Sequence, residues 1–567
     1  MRTKLLLVIG AMVAFMLLQS GCGNGNPNCP TCGTTTGGQY SVVDVMAVPE
    51  HNPTGEPGGP FNSFDISWVD TPTHRFYVSD RIGLDVPVFD TVNNVALYAI
   101  GGDNSVTTGD PLQFTPSPCD PSIPFTISSN GNPTRFGCRT AGFHIPGFGP
   151  SGDFGGFTGA QCCASRGNGV NPLSCPCGMV VTADGKTLFV SNSSSAVVVF
   201  DLTTRPPVVL ANIPTGQSAD WDGPNGVAPC IASWNGRAGS DPTCGDDRAD
   251  EMSYDEKDHI LLVDNGDPGL PFVTLIDMSG VVARTSHCPP KNPAAPFGPP
   301  VPYDPTAPAN NPTCIIGQIY YDGGVLNAFG TDANGNPCPD PSEGFQFGPF
   351  AGDPVPSGQW LGAPGGNVVS STTCVHDNIA PAGLGGSAFI PQLGHFWTTN
   401  PNNQADPHFG AIDEVDPFAF AAGRPPIVRQ ILINNCMPGG VVPGPGNDVL
   451  VTCAGHDGMA FPPTEYIVDA ISGNIITEIN TVGGVDEAWY NPGDNRYYLA
   501  ARDMLGGPKL GVIDAGSRTW LVNVTTNSNS HSVAVDSSNN SVFVPMQAGG
   551  ICGTQSGNGC VGVYQQQ

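Results

Sequence analysis

Three aspartates and a histidine stand at matching positions in four strand-like segments of the 567-residue chain. Asp65 precedes Val69, Asp250 precedes Tyr254, Asp486 precedes Tyr490 and His531 precedes Val535, each by four residues. The matching position of a fifth segment holds Cys177, and Glu251 and Glu487 directly follow two of the aspartates. If these segments run side by side, three carboxylates and an imidazole converge. Converging carboxylates repel unless something neutralises them. A hard divalent cation such as Ca²⁺, with roughly six to eight oxygen ligands, would do so. The histidine shifts the preference toward a transition metal. A cation held there could polarise an ester or lactone carbonyl for hydrolysis. The plainer expectation is a set of solvated, hydrogen-bonded polar groups.

Other chemical constellations are missing. The chain has no phosphate-binding P-loop, no G-x-S-x-G nucleophile elbow at a strand-to-helix turn and no H-E-x-x-H helix. No calcium loop of the D-x-D-x-D-G type occurs, and His376, His395, His408 and His456 show no metal-ligand spacing. Cys29-Pro-Thr-Cys32 is a C-x-x-C, but no His follows it and no second copy lies at zinc-ribbon spacing.

The elements that must position the acidic residues come from a repeat. One unit is an apolar run ending in Asp: Val88-Phe89-Asp90, Val199-Phe200-Asp201, Leu275-Ile276-Asp277, Glu414-Val415-Asp416, Ile467-Val468-Asp469 and Val512-Ile513-Asp514. Each Asp opens a turn into a further apolar segment, which reads as a hairpin. Upstream lies a strand pair joined by a polar turn, as in Asp486–Tyr490 to Arg496–Leu499 and His531–Val535 to Ser541–Val544. Pair plus hairpin makes four antiparallel strands, and seven copies can be traced. Asp469 and Asp514 are 45 residues apart, the period of a four-stranded propeller blade. The expectation is all-β, a seven-bladed β-propeller of four-stranded antiparallel blades over residues 40–567. The first strand of each blade would line a central channel and place Asp65, Asp250, Asp486 and His531 at one depth. Seven blades leave a wide channel, which separates blades one, three, six and seven. Val561-Gly562-Val563-Tyr564 is the third strand of the seventh copy, and Tyr40 to Val48 can supply its fourth, closing the ring.

Thr182-Ala-Asp-Gly-Lys-Thr-Leu-Phe-Val-Ser-Asn192 resembles a repeat of the YVTN/NHL-type β-propeller family. The segments around Asp250, Asp486 and His531 resemble degenerate copies. The resemblance implies the fold and leaves function open, because that family spans binding proteins, surface-layer components and some enzymes.

Composition agrees with a loop-rich β protein. There are 75 Gly and 58 Pro, with 20 basic against 49 acidic residues and a net charge of −29. So few Lys and Arg cannot build a broad nucleic-acid-binding face, and the charge opposes anionic lipid. Stretches near 101–170, 216–247 and 285–380 fit no blade and read as insertions. They are Cys-rich and carry aromatics such as Phe143 and Phe154.

The N-terminal segment reads as an address. Arg2 and Lys4 precede an apolar run from Leu5 to Leu18, too short for a comfortable membrane span. Gln19-Ser20-Gly21-Cys22 is similar to the lipobox of bacterial lipoproteins, with Gln19 where that family prefers Leu. The resemblance implies a signal peptide over 1–22, lipidation of Cys22 and a destination at the outer membrane or cell surface. Residues 23–39 contain no apolar run and read as a tether. Apart from Cys22, 18 of the 19 cysteines remain, an even number suited to disulfides in an oxidising compartment. Candidates with near neighbours are Cys119, Cys138, Cys230, Cys244, Cys436, Cys453, Cys552 and Cys560.

Two functions lead from these residues, ahead of a third, a passive envelope or extracellular-matrix component that would self-associate regularly. One is a binding or assembly scaffold that recognises a surface protein or glycan across one propeller face and its Cys-rich loops. The other is a metal-dependent lactonase or esterase with a cation on Asp65, Asp250, Asp486 and His531.

Overall fold

The computed structural model describes residues 39–48, 61–81, 85–101, 176–192, 196–204, 207–215, 249–266, 272–286, 288, 314–320, 359–361, 383–401, 409–422, 424, 426–454, 463–553 and 559–567. They form seven sheets, each built on four antiparallel strands. Blade one is β2 (Phe64–Asp70), β3 (Arg75–Asp80), β4 (Asp85–Asp90) and β5 (Val95–Gly101). Blade two is β6 (Pro176–Val181) to β9 (Val208–Pro214), and blade three starts at β10 (Ala249–Asp255) and β11 (Ile260–Asn265). Blades four, five and six start at β15 (Ser387–Ile390), β19 (Pro438–Pro443) and β23 (Ala488–Asn491). Blade seven comprises β27 (Ala534–Asp536), β28 (Ser541–Met546), β29 (Cys560–Gln566) and β1 (Tyr40–Ala47). Its outer strand therefore comes from the N-terminal side of the chain, with Tyr40 opposite Gln566 and Ala47 opposite Cys560. The first strands pack in order around the ring, and β27 meets β2 to close it. The chain folds as a seven-bladed β-propeller.

Blade three departs from the four-stranded plan. Its outer strand β13 (Ile315–Tyr320) lies inside the stretch read as an insertion over 285–380. A short strand, β14 (Gln359–Leu361), then adds in parallel to β13. The long connection hid β13, because its hairpin partner β12 (Phe272–Asp277) lies far upstream in sequence.

The core explains why the strands read as nearly continuous apolar runs. There are seven buried clusters, one at each junction between neighbouring blades. In the second strand of blade two, Leu188 and Val190 face blade one, whereas Phe189 packs toward blade three. Both faces of a blade are buried, so the usual apolar–polar alternation disappears. The aspartates ending the third strands act as turn anchors: Asp90, Asp201, Asp277, Asp416, Asp469 and Asp514 each accept a backbone N–H two or three residues ahead. Disulfides join Cys436 to Cys453, Cys552 to Cys560 and Cys288 to Cys314. Cys22, Cys119, Cys138, Cys230 and Cys244 lie outside the described residues.

A second repeat appears only in three dimensions. Ser79, Ser191, Thr399 and Thr452 occupy one register position on the second strands of blades one, two, four and five. Ser191 Oγ donates to the Asp250 carbonyl of the next blade at 2.6 Å and accepts the Gly178 N–H of its own at 2.6 Å. Thr452 does the same with Asp486 O and Gly440 N, at 3.0 and 2.6 Å. Thr399 reaches Gly439 O at 2.8 Å, and Ser79 reaches Cys177 O. These hydroxyls clasp adjacent first strands where the pairing register shifts: between Phe64 and Ser67, Pro176 and Met179, Ala249 and Met252, and Pro438 and Val441. Bulges of this kind bend a strand and re-aim its side chains.

Candidate functional site

The bulges carry the positions singled out by the repeat. Asp65 lies in the blade-one bulge, Cys177 in blade two and Asp250 in blade three. Gly385 and Gly439 hold this ring position in blades four and five, and Asp486 and His531 in blades six and seven. Side chains therefore project from one part of the ring, while the glycines leave the other part bare. The backbone favours small residues there: a Cβ on Gly439 would sit 3.1 Å from Asp486 O, and one on Gly385 3.0 Å from Gly439 O.

The structure brings Asp65, Asp250 and Cys177 together, with one potential ligand atom of each within 4.8 Å of the others, all buried. Cys177 is disulfide-bonded, so its sulfur is no thiolate ligand. His531 joins from blade seven, its Nε2 3.4 Å from Asp65 Oδ1. Its Nδ1 lies 2.9 Å from the Asn529 carbonyl and so carries a proton, and its ring stacks on Phe64 at 5.1 Å. Asp486 does not join Asp65 directly. It pairs instead with Arg502 at 3.0 Å.

Arginines bring positive charge to two of these aspartates. Arg81 Nη2 contacts Asp65 Oδ2, and Arg502 holds both Asp486 and Asp503 while lying near Asp65. Asp65 and Arg81 are 16 residues apart, as are Asp486 and Arg502. That shared offset was a signal in the sequence that the repeat alignment passed over. In blade three the corresponding residue is Gly266. Blades one and six also share a tryptophan three residues after the aspartate, Trp68 and Trp489.

The two tryptophans meet edge to face, ring centroids 5.0 Å apart, although blade seven stands between their blades. They border a central cavity of about 560 Å³ that all seven blades line. Tyr254, Phe389 and Tyr490 continue the aromatic wall. Glu251 and Glu487 also line the cavity and hydrogen-bond to each other, from blade three to blade six. The channel is thus narrow enough to be bridged by two side chains, contrary to the expectation of a wide one. Both carboxyls are held well above the usual glutamate range, by burial first and then by the acidic groups around them. Two carboxyls at such close range resist ionising together.

Elsewhere, Asp264 takes the place of the clasp hydroxyl in blade three. It accepts the Thr398 hydroxyl at 2.9 Å, and burial pushes its carboxyl well up. His395 pairs with Glu414 at 2.7 Å and belongs to no metal cluster among the described residues.

No family model and no curated protein matches this chain. Two solved structures align over nearly its whole length. One is described as "Crystal Structure of Mitotic Checkpoint Complex", with 9% identity, a TM-score of 0.45 and coverage of 96% of this chain and 97% of the other. The second is the Kuenenia stuttgartiensis hydrazine synthase, with 11% identity, a TM-score of 0.43 and coverage of 91% and 96%.

Proposed function

We propose that this propeller is a binding scaffold whose recognition element is the central channel. The observation that supports it is the cavity of about 560 Å³, walled by aromatics and furnished with a few convergent polar groups. Concave, largely apolar spaces of this size with sparse polar groups are the usual form of small-ligand sites. The Cys-rich insertions and the propeller face would then engage a larger protein or glycan partner at the cell exterior. A thermal-shift screen of the full chain tests the reading, using small neutral, cationic and anionic amphiphiles. At least one class should raise the unfolding temperature of the wild type and leave Trp489→Ala unchanged. No shift with any class would overturn it.

Export and anchoring belong to the same reading. Palmitate labelling of the wild type and not of Cys22→Ser is the expected result, and equal labelling would remove the anchor.

Metal-dependent hydrolysis is a second reading. It is favoured by the proximity of Asp65 and Asp250 oxygens and by His531, whose Nδ1–H is fixed so that Nε2 faces Asp65. It ranks second because Arg81 and Arg502 already engage Asp65 and Asp486. A Ca²⁺ or transition-metal ion bound in stoichiometric amount, lost in Asp250→Ala/His531→Ala and needed for ester cleavage, would promote it.

A further inference from the structure

Glu251 and Glu487 are unusual in facing one cavity from two different blades, Glu251 within and Glu487 directly before a first strand that also lends an aromatic to the same space. Glu487 directly precedes β23, which carries Trp489 two residues further on, and both line the cavity. Glu251 is three residues from Tyr254, with the bulge between Ala249 and Met252 at its own position. The cavity therefore has carboxyls at one depth and aromatic rings at another. Trp68, Trp489, Tyr254, Tyr490 and Phe389 all belong to its wall.

We infer that the channel binds an alkylammonium group. The ammonium would sit on the Glu251–Glu487 pair, and its methylene chain would run along Trp68 and Trp489. The inference rests on the channel-binding reading above and names the chemistry of its ligand. Carboxyls exclude anions. A neutral alkyl ligand would bring the two carboxyls neither a donor nor a countercharge. A metal ion needs a shell of oxygen ligands, which the aromatic wall does not offer. An organic cation satisfies both surfaces, because aromatic faces attract it and carboxylates pair with it. The net charge of −29 steers cations toward the protein from a distance.

The other charged groups around the pair are Asp65 with Arg81, Asp250, Asp486 with Arg502, and His531. Asp255, Glu256 and Lys257 line the cavity at the β10–β11 turn. The two arginines offset two of the aspartates, so the glutamate pair draws its countercharge from the ligand.

Calorimetric titration of the full chain with n-butylammonium chloride, N-acetyl-lysine methylamide, 1-pentanol and CaCl₂ tests this. Butylammonium should bind the wild type, with affinity at least about tenfold weaker in Glu487→Gln, in Glu251→Gln and in Trp489→Leu, the loss expected for one charge-assisted contact. Binding of butylammonium alone supports the inference with a free amine as ligand. Binding of the lysine amide as well supports it with a protein side chain as ligand. If pentanol binds as well as butylammonium and the glutamine variants change nothing, the cation inference falls while the channel reading stands. If CaCl₂ displaces the amine competitively, the site is a metal site and the inference is overturned. If none of the probes binds, both readings fail.

Discussion

Glu251 and Glu487 hydrogen-bond across the propeller channel from blade three to blade six, with both carboxyls held well above their ordinary range by burial. A raised carboxyl pKa in the folded state means that the native form holds more protons than the unfolded form above about pH 4.3. Stability is then lost as the pH rises from the unfolded value through the raised folded value. Replacing one partner by glutamine keeps a hydrogen bond and removes one ionisation. The expected result is that Glu487→Gln loses less stability than the wild type between mildly acidic and alkaline pH. Urea unfolding across that range checks it. Parallel pH curves for the two proteins would show that the pair does not hold the proton.

The hydroxyl clasps carry a second prediction. Ser191 and Thr452 each serve the carbonyl of a neighbouring blade and an N–H of their own blade. Removing either hydroxyl leaves buried backbone groups without that partner. Ser191→Ala and Thr452→Ala should each cost about 1–3 kcal/mol in denaturant unfolding. Thr452→Ser should keep most of the wild-type stability. Gly178→Ala should be worse than either, because its Cβ would overlap the Asp250 carbonyl.

The turn aspartates act at the opposite end of the pH scale. Asp514 lies below the ordinary carboxylate range because the Ser517 backbone N–H, first, holds its charged form. Its contribution is present above the unfolded pKa and lost as the pH falls through the folded one. Asp514→Ala should therefore be less stable at pH 7 by a few tenths of a kcal/mol, given the solvent around the turn. The difference should vanish near pH 2. A difference that persisted in acid would assign the effect to packing rather than charge.

Ring closure through the N-terminal strand gives a fourth prediction. Tyr40 Oη lies 2.9 Å from Tyr498 Oη and also meets Arg496, which reaches Gln566 at 2.6 Å. Tyr40→Phe should cost about 1 kcal/mol. Deleting residues 40–47 uncovers the outer edge of β29 along the whole strand. That variant should self-associate on size exclusion, as open β edges do.

The sequence by itself determined the blade count, the strand order within blades and the turn aspartates. Those features depend on local pattern: short apolar runs buried on both faces, and Asp side chains that bond a few residues ahead. It also placed Asp65, Cys177, Asp250, Asp486 and His531 on one ring, since equal register in a closed ring means equal depth. The tertiary structure alone decided what those residues meet. Arg81 and Arg502 approach from the residues directly after second strands, Cys177 is spent in a disulfide, and Glu251 meets Glu487 across the channel. Blade three's outer strand was equally illegible, because some forty residues separate it from its partner. Contacts between blades depend on bulges, channel width and junction packing, which no single repeat encodes, and so the chemistry of the channel emerged only once the ring was closed.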